Sequence, residues 1–219
     1  MGLNKSTGNM YPFITHTWNT VKGKCAHDCT YCYMKRWGKL REVRFDESEL
    51  KTNLGQNNFI FVGSSCDMWA DDISEDWIIK TLQHCGKFEF NRYLFQTKNP
   101  ANIRRILPHK SIVCVTLETD QWLPEIMQYS PTPEQRFYEA KLIRNELFIT
   151  IEPIMDFDLP RFLHMIKELG PTQVNIGADS GKNNLPEPPK EKILKLINEL
   201  SNFTNVFPKI NLNRLLCRR

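Results

Sequence analysis

Apolar positions in this chain follow two alternating periods. Short β-branched and aromatic runs stop at polar or Gly-containing segments, and stretches with an apolar residue every third or fourth position separate them. The strand-like runs are Pro12–Trp18, Phe59–Gly63, Tyr93–Thr97, Ser111–Leu117, Leu147–Glu152 and Gln173–Gly177. Phe59–Val62 and Ile112–Val115 are continuously apolar, which suits strands buried on both faces. The helical stretches carry start and stop chemistry. Ser74 precedes Glu75 and Asp76, with Ile78, Leu82 and Cys85 as an inner stripe. Asn99-Pro100 predicts a start leading into Ala101–Leu107, and Thr132, Pro133 and Gln135 have capping-box spacing. A helix over Asp158–Leu169 meets a stop at Gly170-Pro171, and a last one spans about Lys190–Leu200.

This alternation predicts a mostly parallel sheet with right-handed crossovers. Six strands fall short of the eight in a closed barrel, which takes about 250 residues. The expectation is therefore an α/β fold, an open partial (β/α)6 TIM-type barrel, as one domain over residues 1–219. Lys182–Pro189 reads as a Pro- and Asn-rich loop, and no repeat or internal boundary interrupts the pattern.

Composition narrows the class. Hydrophobic residues make up 41% and charged residues 25%, which excludes a disordered chain. No apolar run approaches the roughly twenty residues of a membrane span. Residues 1–30 lack the layout of a signal peptide. A cytoplasmic protein with no membrane partner is expected. Lys and Arg number 29 against 25 Asp and Glu, a net charge of +4. That excess permits a nucleic-acid partner without requiring one.

Cysteine usage says more. Of seven cysteines, Cys25, Cys29 and Cys32 fall within eight residues, and Cys66, Cys85, Cys114 and Cys217 are scattered. In a reducing cytosol such a cluster binds metal or does redox chemistry. Three thiolates on a four-iron cluster leave one iron open to a substrate or cofactor. The other reading is a non-enzymatic zinc-binding module, with His27 or His16 as a fourth ligand.

The spacing, with Tyr31 just before the third cysteine and the loop following the first strand, resembles the signature of radical S-adenosylmethionine (SAM) enzymes. Thr17-Trp18-Asn19, Phe61–Trp69, Thr97-Lys98-Asn99-Pro100, Val115–Glu118, Ile151-Glu152-Pro153 and Ile176–Gly181 also match, in order, a phage-associated radical-SAM-like family of unknown substrate. Several blocks are similar to the spore photoproduct lyase family, which acts on DNA. The match covers roughly residues 10–182.

The resemblance implies a [4Fe-4S] cluster on Cys25, Cys29 and Cys32 that cleaves SAM reductively to a 5′-deoxyadenosyl radical, which abstracts hydrogen from a substrate. It also implies an electron donor such as flavodoxin or ferredoxin. The substrate stays open: nucleoside, nucleic acid or peptide. Tyr31 belongs to the cofactor loop, and Gly63, Ser64 and Ser65 stand where relatives contact the methionine amino group, although the usual Gly-Gly-Glu is absent. Glu118 and Thr116 are candidates for the ribose, and Glu152 for lining the site. Cys66 is the candidate hydrogen-atom donor, and Asp67 beside it either binds substrate or caps the loop. Asp179 and Ser180 are strand-end or ordinary turn residues.

Lys35–Arg44 carries five cations around Trp37, a pattern that suits either a phosphate-bearing partner or the solvated face of a first helix. Asp71, Asp72, Glu75 and Asp76 argue against a continuous nucleic-acid surface.

Overall fold

The computed structural model describes residues 2–103 and 106–217. The strands are β1 (Asn4–Lys5), β2 (His16–Trp18), β3 (Val21–Lys22), β4 (Arg44–Phe45), β5 (Phe59–Val62), β6 (Arg92–Thr97), β7 (Ser111–Thr116), β8 (Glu146–Ile151), β9 (Gln173–Ile176) and β10 (Asn205–Pro208). Eight of them form one sheet in the order β1-β2-β5-β6-β7-β8-β9-β10. Every neighbouring pair from β2 to β10 is parallel, and β1 joins β2 antiparallel. The sheet is open, with β1 and β10 at its edges. β3 and β4 form a separate antiparallel ribbon.

Helices α1 (Glu75–Gly86), α3 (Pro133–Ala140), α4 (Leu159–Leu169) and α5 (Lys190–Ser201) cover one face of the sheet, with short α2 (Pro124–Met127) and α6 (Asn213–Leu216) in connections. Their apolar stripes meet Ile60, Val62, Phe95, Val113, Val115, Ile149, Ile151, Val174 and Ile176 in one core. The alternate strand residues Phe59, Phe61, Leu94, Ile112, Cys114 and Phe148 face the other way. There the N-terminal segment covers them: Tyr11 and Ile14 are buried, and Phe13 stacks on Tyr11 with ring centroids 5.3 Å apart.

All six expected strands are present. Pro12–Trp18 is shorter than expected, because the chain before His16 leaves the edge and crosses the sheet face. The start signal at Thr132 holds, with a full capping box to Gln135; Ser74 precedes α1 without a side-chain cap bond, and Asp158, before α4, accepts from the Arg161 amide. Gly170 ends α4 with φ of 56°.

Other expectations need correction. β10 is a seventh parallel strand, short and largely exposed, so it lacks the apolar signature of its neighbours. Asn99-Pro100 opens only a 3-10 turn, Pro100–Asn102; residues 104 and 105 of the expected helix lie outside the described residues. No α-helix forms over 35–44. A 3-10 turn, Tyr33–Trp37, stops at Gly38, whose φ is 88°. Among the described residues no helix is long and apolar enough to cross a membrane.

Along the face opposite the helices, the strands grade from apolar to polar towards their C-terminal ends. Gln96, Thr116 and Thr150 succeed Leu94, Cys114 and Phe148 at the next inward positions. The Tyr11 hydroxyl bonds Gln96 Oε1 at 2.8 Å and Thr150 Oγ1 at 3.0 Å, closing the apolar half. The strand ends beyond them carry the candidate chemistry.

Candidate functional site

The cysteine loop does not follow β2 directly, as expected from sequence. The β3–β4 ribbon closes residues 23–43 into an excursion beside the strand ends. Gly23 opens it with φ of 116°, where a Cβ would stand 2.5 Å from the Glu42 carbonyl oxygen. Only glycine fits there. Successive turns then curl the loop: the amides of Asp28, Cys32 and Lys35 donate to the carbonyls of Cys25, Cys29 and Cys32 at 3.2, 3.1 and 3.0 Å. Asp28 takes a positive φ of 48°, and its carboxylate is flanked by Lys24 at 3.2 Å and Lys35 at 2.8 Å.

Cys29 is buried in an apolar nook with Tyr31, Met127 and Met155, its thiol 3.8 Å from the Met127 carbonyl oxygen. Burial pushes that thiol up, against the pull of the Lys98 ammonium. Cys25 and Cys32 are half-buried. Cys25 and Cys66 share a hydrogen bond that, with His27 assisting, lowers the Cys25 thiol against burial. The same contact, together with burial, pushes Cys66 upward.

Two buried acids secure the loop. The Tyr31 hydroxyl donates to Glu118 Oε1, while Arg136 donates to Glu118 Oε2 at 2.6 Å and Lys98 Nζ stands 3.6 Å from Oε1. Glu118 and Arg136 are fully buried. Burial pushes the Glu118 carboxyl up, but Arg136, Lys98 and the Tyr31 hydroxyl outweigh it and hold it at about 2. Lys98 also sits 5.4 Å from the Tyr31 ring centroid. On the other side, His27 Nε2 lies 2.9 Å from Asp67 Oδ2.

The remaining candidates border this assembly. Gly63 has φ of 78° and donates its amide to the Trp18 carbonyl at 3.0 Å. Asn19 Oδ1 accepts from the Ser65 amide at 3.0 Å and the Ser64 hydroxyl at 3.2 Å, and Tyr33 donates to the Ser64 carbonyl at 2.5 Å. The strand-end turn is thus tied to the cysteine loop. Thr116 is buried, its hydroxyl accepting from Gln96 at 3.2 Å and its carbonyl from Arg136 at 3.0 Å. Glu152 lies apart, above β8, held by Asn9 and Asn211 at 3.0 Å each and by Lys209 at 2.6 Å. Asp179 folds its own loop, accepting from Gly181 and Asn183. Asn211 reaches the Ser180 hydroxyl at 2.9 Å.

Lys98, Arg136, Lys209 and Asn211 carried no site assignment from sequence, and His27 carried only that of a possible zinc ligand. Arg136 is an ordinary residue of a well-capped helix by pattern, and its only signal is its position on the helix's buried face. Lys209 and Asn211 come from the segment after the missed strand β10.

The loop's three thiols fit the ligand set of an iron–sulfur cluster. Zinc draws its ligands onto one centre at about 2.0–2.3 Å, whereas in a four-iron cluster each thiolate meets a different iron. Among the described residues no group of three or more His, Cys, Asp or Glu side chains is gathered to hold a single metal ion. His27 is already engaged by Asp67. The loop carries three thiols, one of them in an apolar nook of the sort that tunes cluster potentials.

No family model and no curated protein matches this sequence. Solved structures of spore photoproduct lyase, a radical SAM enzyme, do match in fold. One variant aligns with a TM-score of 0.68 and 10% identity, covering 93% of this chain and 78% of that one. Another gives 0.66 and 11% over the same shares. A third, with bound AdoMet and dinucleoside spore photoproduct, gives 0.60 and 11% over 90% of this chain and 64% of that one. The chain therefore has a mixed α/β fold, with a mostly parallel sheet, like that of spore photoproduct lyase.

Proposed function

We propose that this protein is a radical SAM enzyme of partial-barrel form that binds a [4Fe-4S] cluster through Cys25, Cys29 and Cys32. One observation carries the reading: a three-cysteine loop seated at the C-terminal ends of a parallel sheet, tied there by the buried partners of Tyr31 and His27. When bound, the cluster and SAM supply a single chemistry, reductive cleavage of the sulfonium to give a hydrogen-abstracting adenosyl radical, and a flavodoxin- or ferredoxin-like donor provides the electron.

The chain's own residues bind, orient and exclude water. Met127, Met155 and Tyr31 keep solvent from Cys29. Gly63, Ser64 and Ser65 offer backbone and hydroxyl groups for the methionine end of SAM. Thr116 ends β7 and Glu118 lies just beyond it; Glu118, with both oxygens engaged, serves by holding Tyr31 and Lys98 in place. Glu152, at the end of β8 with its carboxylate held by Asn9, Asn211 and Lys209, lines the substrate side of the site in this reading. Cys66 returns a hydrogen atom to the substrate radical, from a position against Cys25.

The substrate we propose is derived from nucleic acid. A structural neighbour binds dinucleoside spore photoproduct. Tyr33–Phe45 here has five cations against the lone acid Glu42, which equals the net charge of the whole chain, and Trp37 within it is 75% exposed. Exposed aromatic and cationic groups together suit bases and phosphates.

Anaerobic reconstitution tests the reading. A brown protein with about four iron and four sulfide per chain, forming 5′-deoxyadenosine from SAM and a reductant, is expected. A colourless protein inert towards SAM would falsify it.

A further inference from the structure

Asp67 is one residue from Cys66, and the two touch the same loop at different points. Cys66 meets Cys25; Asp67 meets His27, which stands midway between Cys25 and Cys29. Asp67 is nearly buried and saturated with donors. Its Oδ2 accepts from His27 Nε2, the Thr97 hydroxyl and the Lys98 amide, each at 2.9 Å, and its Oδ1 accepts from the Trp69 amide at 3.0 Å. Three segments therefore converge on one carboxylate: the cysteine loop, the turn after β5 and the end of β6. His27 is fastened on its other side too, since its carbonyl accepts from the Tyr129 amide at 3.2 Å. The neighbouring Thr30 amide bonds the Ile126 carbonyl at 3.0 Å. The middle of the cysteine loop is thus gripped between the β5–α1 connection and the segment around α2.

A loop of polar residues and turns has little apolar burial of its own to order it, so its geometry follows from such anchors. A charge-assisted bond to a carboxylate is about twice as strong as a neutral one. Of the bonds that hold residues 25–29, the one from His27 to Asp67 joins a buried imidazole to a nearly buried carboxylate.

From this arrangement we infer that Asp67, acting through His27, is the positioning residue that sets the cysteine loop in its metal-ready form and keeps Cys66 against Cys25. The inference rests on the radical SAM reading for what the loop binds, but not for how the loop is held. Removing the His27–Asp67 bond frees the centre of the loop while the sheet beneath stays intact.

Amide hydrogen exchange on the metal-free chain, with electron paramagnetic resonance on the reconstituted protein, tests it in His27→Phe and His27→Gln. Glutamine keeps a side-chain N–H for Asp67; phenylalanine keeps only ring volume. Exchange over residues 24–32 is expected to rise at least about tenfold in His27→Phe and to stay near wild type in His27→Gln, with residues 111–116 protected in both. The spectrum of the reduced cluster, and its change on adding SAM, should be altered in His27→Phe and retained in His27→Gln. Wild-type exchange and spectra in His27→Phe would overturn the inference, as would a glutamine variant as loose as phenylalanine. A wild-type chain that never takes up iron would instead sink the functional reading, and the exchange comparison would still judge the anchor.

Discussion

Arg136 gives the sharpest energetic test of how the cysteine loop is supported. Its guanidinium is fully buried and donates to Glu118, the Thr116 and Pro131 carbonyls and the Ser130 hydroxyl, at 2.6 to 3.0 Å. Arg136→Met keeps the volume and removes every one of these bonds, leaving Glu118 buried with Lys98 as its remaining cation among the described residues. Breaking one partner of such a pair costs about 3–5 kcal/mol. The carboxyl gives a second route to the magnitude. Folding lowers it from 4.5 to about 2, and each unit is worth about 1.4 kcal/mol, so the stabilisation is about 3 kcal/mol. Its contribution is complete above pH 4.5 and is lost as pH falls through 2.

Without Arg136 the carboxyl's folded value rises, so acid relieves the variant while it costs the wild type. Urea unfolding of the metal-free chains should show a gap of about 3 kcal/mol at pH 7, or roughly 6–12 °C in Tm for a chain of this size. The gap should narrow between pH 7 and pH 3. Arg136→Met with Glu118→Gln should cost less than the two single changes added together. A gap below about 1 kcal/mol, or one unchanged by acid, would refute the claim that this pair supports the site.

Further tests probe separate links. Cys29→Ala should abolish cluster assembly while far-UV circular dichroism stays that of the wild type; unchanged iron content would remove the ligand assignment. Cys66→Ala should keep SAM cleavage but alter turnover and product distribution on a dinucleoside substrate, and an unchanged product pattern would end its role as hydrogen donor. Gly23→Ala places a Cβ 2.5 Å from the Glu42 carbonyl oxygen, so reconstituted iron should fall with little change in β7 exchange. Thr132→Ala removes one half of the capping box on α3 and should cost about 1 kcal/mol in urea melts, because Thr132 accepts from the Gln135 amide.

The cysteine spacing, the six main parallel strands, the cap at Thr132 and the stop at Gly170 could all be read along the chain. Each depends on residues only a few positions apart, so local period and capping chemistry carry the information. The misjudged elements fail for the same reason. β10 has no apolar run, and the N-terminal segment holds a face of the sheet that only the assembled strands create.

The site's supports belong to a different scale. Glu118 lies 18 residues from Arg136 and 87 from Tyr31, and Asp67 lies 40 from His27. Nothing in the order of residues pairs these groups. The sequence alone settles which thiols are offered and on what kind of loop. Only parallel packing of β5, β6 and β7, which sets their C-terminal ends side by side, decides which buried charges meet that loop. A buried carboxylate is stable only where its partners converge, and that convergence exists only in three dimensions.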